Sequence, residues 1–256
     1  MSDGYGGEVS ARVEPRLVEH DGLARHHPVG ISTGVFATLR SSWPPLVAEA
    51  CAVSTYAVEL SALSESELPG LISYLGSKPR LPFSYISVHA PVKGLAADEV
   101  STAQTLGRLP LFVRSIVTHP DVLRDVRPYR SLGTRLVLEN MDDRRHTGRT
   151  AGELAAMFDE LPEAGFCFDV AHARAVDPSM SVAQELLDAF RSRLRQVHVS
   201  SLLAGRHVPL TDEDEELFAP TLARCRDVPW ILEALPPRRW AAEVRGAPLV
   251  AVAATS

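Results

Sequence analysis

The sequence has few of the features that mark disulfide-bonded, membrane-spanning or nucleic-acid-binding proteins. It contains 3 cysteines in 256 residues, without a CxxC spacing, so neither a disulfide framework nor a thiolate zinc site is indicated. No apolar run approaches the ~20 residues of a membrane span, and the first residues do not resemble a secretory signal. The formal net charge of −6 argues against a strongly basic surface for nucleic acid. We therefore expect a soluble, cytoplasmic protein.

Along most of the chain, short apolar runs alternate with segments whose sequence patterns are typical of helices. Runs of this kind are typical of parallel strands that are buried on both faces. The first run, GISTGVF, does not fit the GxGxxG phosphate loop of a doubly wound sheet. We predict the α/β class and a single (β/α)8 TIM barrel over residues 29–256, preceded by a tail or arm over residues 1–28. The eight predicted strands are Gly30–Val35, Tyr56–Leu60, Tyr85–His89, Val113–His119, Arg135–Asn140, Gly165–Asp169, Gln196–Ser200 and Trp230–Glu233.

Acidic and imidazole side chains recur at the ends of these strands. The stretch GFCFDVAH is an example, because Asp169 ends a strand and His172 follows three residues later. In a parallel barrel all the C-terminal strand ends meet at one mouth, so side chains far apart in sequence point at one small volume. We predict a metal site there, with the ligands His89, His119, Glu139, Asp169, His172, His198, His207 and Glu233.

The chemistry of this ligand set restricts the ion. Crowded carboxylates stay ionised only if cations compensate them. Mixed nitrogen and oxygen donors suit Zn, Mn or Fe better than Ca or Mg. Eight ligands exceed the needs of one ion, so we predict two divalent ions, with three as the alternative. We also predict that Arg206, Asn140 and Glu59 bind substrate, with Glu59 at the height of the other strand ends.

Several segments resemble the xylose isomerase-like TIM barrels, a superfamily that includes sugar isomerases and epimerases and the AP endonuclease family 2 (endonuclease IV) enzymes. The segments are SVHAP (Ser87–Pro91), LVLEN (Leu136–Asn140), GFCFDVAH (Gly165–His172), VHVS (Val197–Ser200), GRHVPL (Gly205–Leu210) and ILEA (Ile231–Ala234). The resemblance implies a quartet of ligands on one metal in the epimerase-type members, matched here by Glu139, Asp169, His198 and Glu233. It also implies that the two glutamates of the quartet move a proton.

The endonuclease IV-like members add histidines for a trinuclear site. Those additions match His89, His119, His172 and His207, but the acid expected two residues before the last histidine is Gly205 here. The DNA-reading loops of these enzymes are not recognisable in this chain. A related set of multinuclear non-haem iron oxidative enzymes has a similarly His-rich mouth.

Three enzymatic hypotheses follow, and a barrel that binds a metal or ligand without catalysis is the non-enzymatic alternative. The main prediction is metal-assisted hydrolysis of a phosphoester or related bond. The alternatives are a sugar (phosphate) isomerase or epimerase and a multinuclear iron oxidative enzyme. In each case a small sugar- or phosphate-containing substrate is expected rather than nucleic acid, and Glu139 and Glu233 are the predicted catalytic residues.

Overall fold

Ten strands lie in residues 27–237, the part of the chain that the computed structural model describes. They are β1 (Val29–Ser32), β2 (Ala57–Ser61), β3 (Tyr85–His89), β4 (Ser115–Thr118), β5 (Leu136–Glu139), β6 (Gly165–Asp169), β7 (Leu194–Val199), β8 (Ser201–Leu203), β9 (Arg206–Val208) and β10 (Trp230–Leu232). Eight of them close a parallel barrel in the order β1, β10, β7, β6, β5, β4, β3, β2. The predicted (β/α)8 barrel is confirmed.

Side chains inside the barrel alternate with side chains that face the helices. Val117, Val137 and Cys167 on β4, β5 and β6 form a small apolar cluster, separate from the large core between the strands and the helices. His119, Glu139 and Asp169 each stand two residues further along the same strand or just past its end. The two-residue period of a strand therefore places these three side chains directly above the apolar cluster, toward the mouth.

The strands are staggered, and the stagger sets the depth of each side chain. Ser61 on β2 is level with His89 on β3, whereas Glu59 is level with Ser87, one interior layer lower. On the other side of the barrel Asp169 is level with His198. Glu59 therefore lies deeper than the strand-end position predicted for it.

Seven α-helices connect the strands in this part of the chain: α1 (Trp43–Val53), α2 (Leu68–Gly76), α3 (Glu99–Gly107), α4 (Ala151–Glu160), α5 (Val170–Val176), α6 (Ser181–Phe190) and α7 (Asp212–Leu222). Their first turns carry the expected capping signals. The Asp98, Thr150 and Thr211 side chains accept hydrogen bonds from backbone N–H groups of α3, α4 and α7. Asp169 does the same for α5, since its Oδ1 accepts from the His172 backbone N–H at 2.7 Å.

Two connections differ from a regular barrel. Between β4 and β5 the chain forms a 3-10 helix, Arg127–Arg135, that is interrupted at Gly133, where φ is 56°. The antiparallel β8–β9 hairpin follows β7 and was not predicted. Residues 1–26 and 238–256 lie outside the described residues, so the predicted tail of 1–28 is described only at His27 and Pro28.

Candidate metal centre

Glu139, at the end of β5, lies among four histidine side chains at the barrel mouth. Its Oε2 lies 3.4 Å from His89 Nε2 and 3.5 Å from His119 Nε2. Its Oε1 lies 3.2 Å from His172 Nδ1 and 3.4 Å from His198 Nδ1. The carboxylate is buried at 1% exposure, so four imidazoles surround one acid that water barely reaches.

All eight predicted ligands converge at the mouth in three overlapping groups. Within each group the donor atoms lie within 4.8 Å of one another, which is close enough for all of them to bind one ion. Glu139 belongs to two groups and Asp169 to two. The first group is His89, His119 and Glu139; the central group is Glu139, Asp169, His198 and Glu233; the third group is Asp169, His172 and His207.

Backbone carbonyls fix two of the imidazole rings. His89 Nδ1 lies 2.9 Å from the Ala90 carbonyl oxygen, and His172 Nδ1 lies 2.9 Å from the Asn140 carbonyl oxygen. A carbonyl oxygen only accepts, so each Nδ1 carries a hydrogen and donates it. The opposite nitrogen, Nε2, then keeps a lone pair, which is the form that a metal ion requires.

Several buried polar atoms at the mouth have no hydrogen-bond partner among residues 27–237. Buried polar atoms in folded proteins are nearly always paired, so such a concentration indicates a missing partner of another kind. The donor set is mixed nitrogen and carboxylate oxygen, which suits Zn, Mn or Fe. The residues therefore fit a divalent metal. The unpaired atoms are His119 Nδ1, His198 Nδ1, Glu139 Oε2, Asp169 Oδ2 and Glu233 Oε2.

The acids and imidazoles perturb one another strongly. Burial lowers the pKa of His89, but the Glu139 and Glu59 carboxylates outweigh it and raise that pKa to about 9. For His172, burial is outweighed in the same way by Asp169 and Glu139, and the pKa rises to about 10. Without a cation these imidazoles hold protons that balance the carboxylates. A divalent ion takes over that role, so metal binding releases protons.

The acids of the central group respond in opposite directions. Burial raises the pKa of Asp169 to about 6, and the Glu233 carboxylate adds to the effect. Burial also raises the pKa of Glu233. Glu139 is buried too, but His198 and His119 hold its pKa well below the usual range. Glu139 is thus the permanent anion of the site, whereas Asp169 and Glu233 gain protons more readily.

The third group is more open than the first. His207 is on the hairpin strand β9, where its side chain is 28% exposed. Its Nδ1 lies 2.7 Å from Ser200 Oγ and 3.3 Å from Glu233 Oε2. Burial lowers its pKa to about 4. His207 is therefore neutral near pH 7 and available as a ligand.

The structure gives a physical reason for the glycine at position 205. Gly205 is in the turn of the β8–β9 hairpin with φ +71°, a conformation that L side chains rarely adopt. A Cβ there would lie 1.8 Å from Nη1 of Arg144. Arg144 is itself held by an ion pair with the buried Asp142. Arg144 thus takes the space that a side chain at position 205 would need, and no acid joins the third group from there.

Two of the three predicted substrate-binding residues are buried. Asn140 is 0% exposed, and its amide bonds the backbone of Asp169 in both directions at 2.8 Å. Glu59 is also 0% exposed, and it lies on the far side of the His198 ring from Glu139 and Glu233. For both residues the substrate contact stays a prediction. Arg206 is exposed on β9, as a substrate contact requires.

Sequence reasoning missed several residues around the centre. Gln196 stands two residues before His198, so strand alternation places both on the same interior face, and this signal was available in the sequence. Cys167 has the same relation to Asp169, and its sulfur lies within 4.8 Å of donor atoms of Glu139 and His198. No sequence pattern points to Arg144, because its contact with Gly205 depends on how two loops meet.

The chain is similar to a known family and to several solved barrel structures. The family described as xylose isomerase-like TIM barrel matches residues 121–246. Endonuclease IV from Thermus thermophilus is 21% identical with a TM-score of 0.53, over 85% of this chain and 95% of that chain. D-psicose 3-epimerase from Clostridium cellulolyticum is 13% identical with a TM-score of 0.51, over 81% and 85%. The IolI protein, solved with a zinc atom, is 16% identical with a TM-score of 0.50, over 85% and 95%. At these identities the similarity shows the fold alone, and no curated protein matches the chain.

Proposed function

Residues 121–246 match the xylose isomerase-like TIM barrel family, and from this premise we propose that the chain is a divalent-metal-dependent hydrolase of a phosphoester or a related bond. One observation carries the proposal. The first group shares Glu139 with the central group, and the third group shares Asp169 with it. A reaction that only moves a proton next to a carbonyl needs one ion. Four additional histidines that extend the site on both sides favour a reaction in which adjacent ions act together.

The proposed cofactors are two ions of Zn, Mn or Fe, held by the central group and a neighbouring group, with a third ion as the alternative. Ions bound there would polarise the substrate ester and lower the pKa of a water toward neutrality. Glu139 would help to hold the ions of the first and central groups, because it belongs to both.

Glu233 is the proposed proton acceptor. Its side chain is 12% exposed, against 1% for Glu139, so it is the more accessible acid of the central pair. Burial raises its pKa, which brings its proton exchange closer to neutral pH. Arg206 is exposed on the hairpin beside His207 and is proposed to bind the anionic part of the substrate.

The proposed substrate is a small sugar- or phosphate-containing molecule, and the proposed location is the cytoplasm. No helix among the described residues has the length and hydropathy that crossing a bilayer requires. Endonuclease IV is among the similar structures, so abasic-site DNA belongs in the substrate screen. We expect little or no cleavage of it, because the formal net charge of the chain is −6.

The test combines elemental analysis with a phosphoesterase screen. We expect at least two ions per chain, hydrolysis of phosphomonoester or phosphodiester probes, and loss of that activity in His89→Ala and His172→Ala. His146→Ala is the matched control, since it removes a histidine from a loop without a predicted role. Full activity in both site variants on the true substrate would contradict the proposal.

A sugar epimerase is the second candidate. Its support is the central group alone, in which Glu139 Oε1 and Glu233 Oε1 both lie 3.4 Å from His198 Nδ1 and face one small volume. An epimerase would need one ion and would retain activity in His89→Ala and His172→Ala. Exchange of a sugar C–H hydrogen with deuterated solvent detects this activity directly. Oxygen consumption with ferrous iron detects the oxidative alternative.

A further inference from the structure

A column of polar side chains lies inside the barrel beneath the metal centre. Hydrogen bonds link its members in the order Ser115 on β4, Tyr85 on β3, Gln196 on β7 and Glu59 on β2. The last member, Glu59, touches His198 of the central group. Apolar residues usually fill this space in barrels of this kind, so a continuous polar column calls for a role.

The hydrogen-bond directions in the first half of the column follow from chemistry. The Tyr85 hydroxyl lies 2.7 Å from Ser115 Oγ and 2.9 Å from Gln196 Oε1. An amide oxygen only accepts, so Tyr85 gives its hydrogen to Gln196 and accepts one from Ser115. The Gln196 amide is thereby oriented with its oxygen toward Tyr85. Its Nε2 then faces Glu59 and donates to Glu59 Oε2 at 2.7 Å.

The second half of the column fixes the His198 ring. Two groups face His198 Nε2: Glu59 Oε2 at 3.0 Å and the Gln196 amide nitrogen at 2.9 Å. The Gln196 amide already donates to the same Glu59 oxygen, and an ionised carboxylate only accepts, so we assign the ring hydrogen to Nε2, from which it is donated to Glu59. The other ring nitrogen, Nδ1, then faces the centre with a lone pair when the ring is neutral. It is buried, has no hydrogen-bond partner within the described residues and lies 3.4 Å from Glu139 Oε1 and Glu233 Oε1.

The buried charge of Glu59 also links this residue to His198. Its side chain is completely buried, and it is hydrogen-bonded to His198, Gln196 and Ser87, none of which is a permanent cation. A buried carboxylate without a cation is costly. The compensating positive charge must therefore come through His198, either as a proton on the ring or as a metal ion on its far side.

We infer that Glu59 is a positioning residue of the metal centre, which, supported by Gln196 and Tyr85, holds His198 with Nε2–H toward the barrel interior and Nδ1 toward the metal. This inference rests on the metal-binding part of the proposed function and is independent of whether the reaction is hydrolysis or epimerisation.

The test measures metal binding and the state of the ring instead of activity. Zinc affinity is measured by competition with a chelating indicator in the full chain and in Glu59→Leu, Glu59→Gln and Tyr85→Phe. Loss of an outer-sphere carboxylate typically weakens metal binding by about 10–100-fold, which is the effect expected for Glu59→Leu. Glu59→Gln should lose less, because an amide oxygen still accepts from Nε2–H. Tyr85→Phe should lose least.

Nitrogen NMR of histidine-labelled zinc protein reports the ring directly. The His198 signals, assigned with His198→Asn, should show zinc on Nδ1 and hydrogen on Nε2 in the unmodified chain. Glu67→Gln is the control, because Glu67 is also a buried glutamate but pairs with Arg40 outside the centre. It should change neither the zinc affinity nor the His198 signals.

The outcomes separate this inference from the proposed function. Zinc bound through Nε2 of His198, or unchanged affinity in Glu59→Leu, would overturn the positioning role and leave the metal centre intact. If Glu59→Leu does not fold, unchanged affinity in both Glu59→Gln and Tyr85→Phe overturns it equally. A full chain that binds none of zinc, manganese and iron would overturn the metal-dependent function itself.

Discussion

The first and third groups are built from different kinds of structure at the same mouth. His89 ends a barrel strand, and His119 directly follows one; both are buried. In the third group, His207 is on a short hairpin outside the barrel and is partly exposed. Ligands on barrel strands are held by the parallel hydrogen-bond ladder, whereas a hairpin ligand depends on its turn. The difference indicates a rigid side and an adaptable side of one centre.

Substitution of Glu139, which the first and central groups share, should have the largest effect on activity. Glu139→Gln removes the charge that balances four imidazoles, so the first and central ions should both be lost. Metal ions contribute several kcal/mol of transition-state stabilisation, and we expect phosphoesterase kcat/KM to fall by about 10³-fold. Glu153→Gln, on the surface helix α4, is the control and should keep full activity. Retention of both ions in Glu139→Gln would refute the role of Glu139 in holding them.

Substitution of one histidine on each side tests the contrast directly. His89→Ala removes a buried ligand that water cannot easily replace, whereas water can take the place of the half-open His207. We expect zinc affinity to fall by about 100-fold in His89→Ala and about 10-fold in His207→Ala, which is a difference of about 1.4 kcal/mol. Isothermal titration with zinc measures both. Equal losses would mean that the two sides are equally rigid.

A side chain added at Gly205 should strain the turn of the β8–β9 hairpin. Gly205→Ala places a Cβ against Arg144 in a left-handed conformation, which should destabilise the protein by about 1–2 kcal/mol. Denaturant unfolding measures the change, and zinc affinity should fall as in His207→Ala. Gly152→Ala is the control, because a Cβ there meets nothing within 4 Å in helix α4. It should leave zinc affinity unchanged and should not destabilise the fold. An unchanged stability in Gly205→Ala would show that the turn adapts without cost.

The pH dependence of stability tests the first group without any substitution. The His89 pKa rises from its usual 6.5 to about 9 in the folded, metal-free protein. A raised folded pKa stabilises fully below the unfolded pKa and loses that contribution as pH rises through the folded one. Chelated protein should therefore lose stability between pH 6.5 and 9. The zinc form should lose less, because the ion replaces the proton. Thermal unfolding with and without chelator measures both, and parallel pH profiles would argue against metal binding at His89.

The sequence predicted the eight barrel strands and the acids and histidines that gather at the mouth, because hydrophobic period and strand ends are local properties. It did not predict how deep each side chain lies inside the barrel. Glu59 was placed level with the strand ends, but the stagger between β2 and β3 puts it opposite Ser87, one layer lower. Asn140 was placed at the mouth, but its amide bridges to the Asp169 backbone on β6. Stagger and cross-strand bonding depend on barrel closure, which involves residues far apart in sequence.

Because the three groups share Glu139 and Asp169, the proposed ions should not be distributed independently over the protein molecules. When one ion leaves, a shared carboxylate loses part of the charge that orients it, and its neighbour is held less firmly. A partly stripped sample should then consist mainly of full and empty molecules instead of half-filled ones. A bulk ratio of one ion per chain would conceal that mixture, whereas native mass spectrometry, which weighs molecules individually, would resolve it.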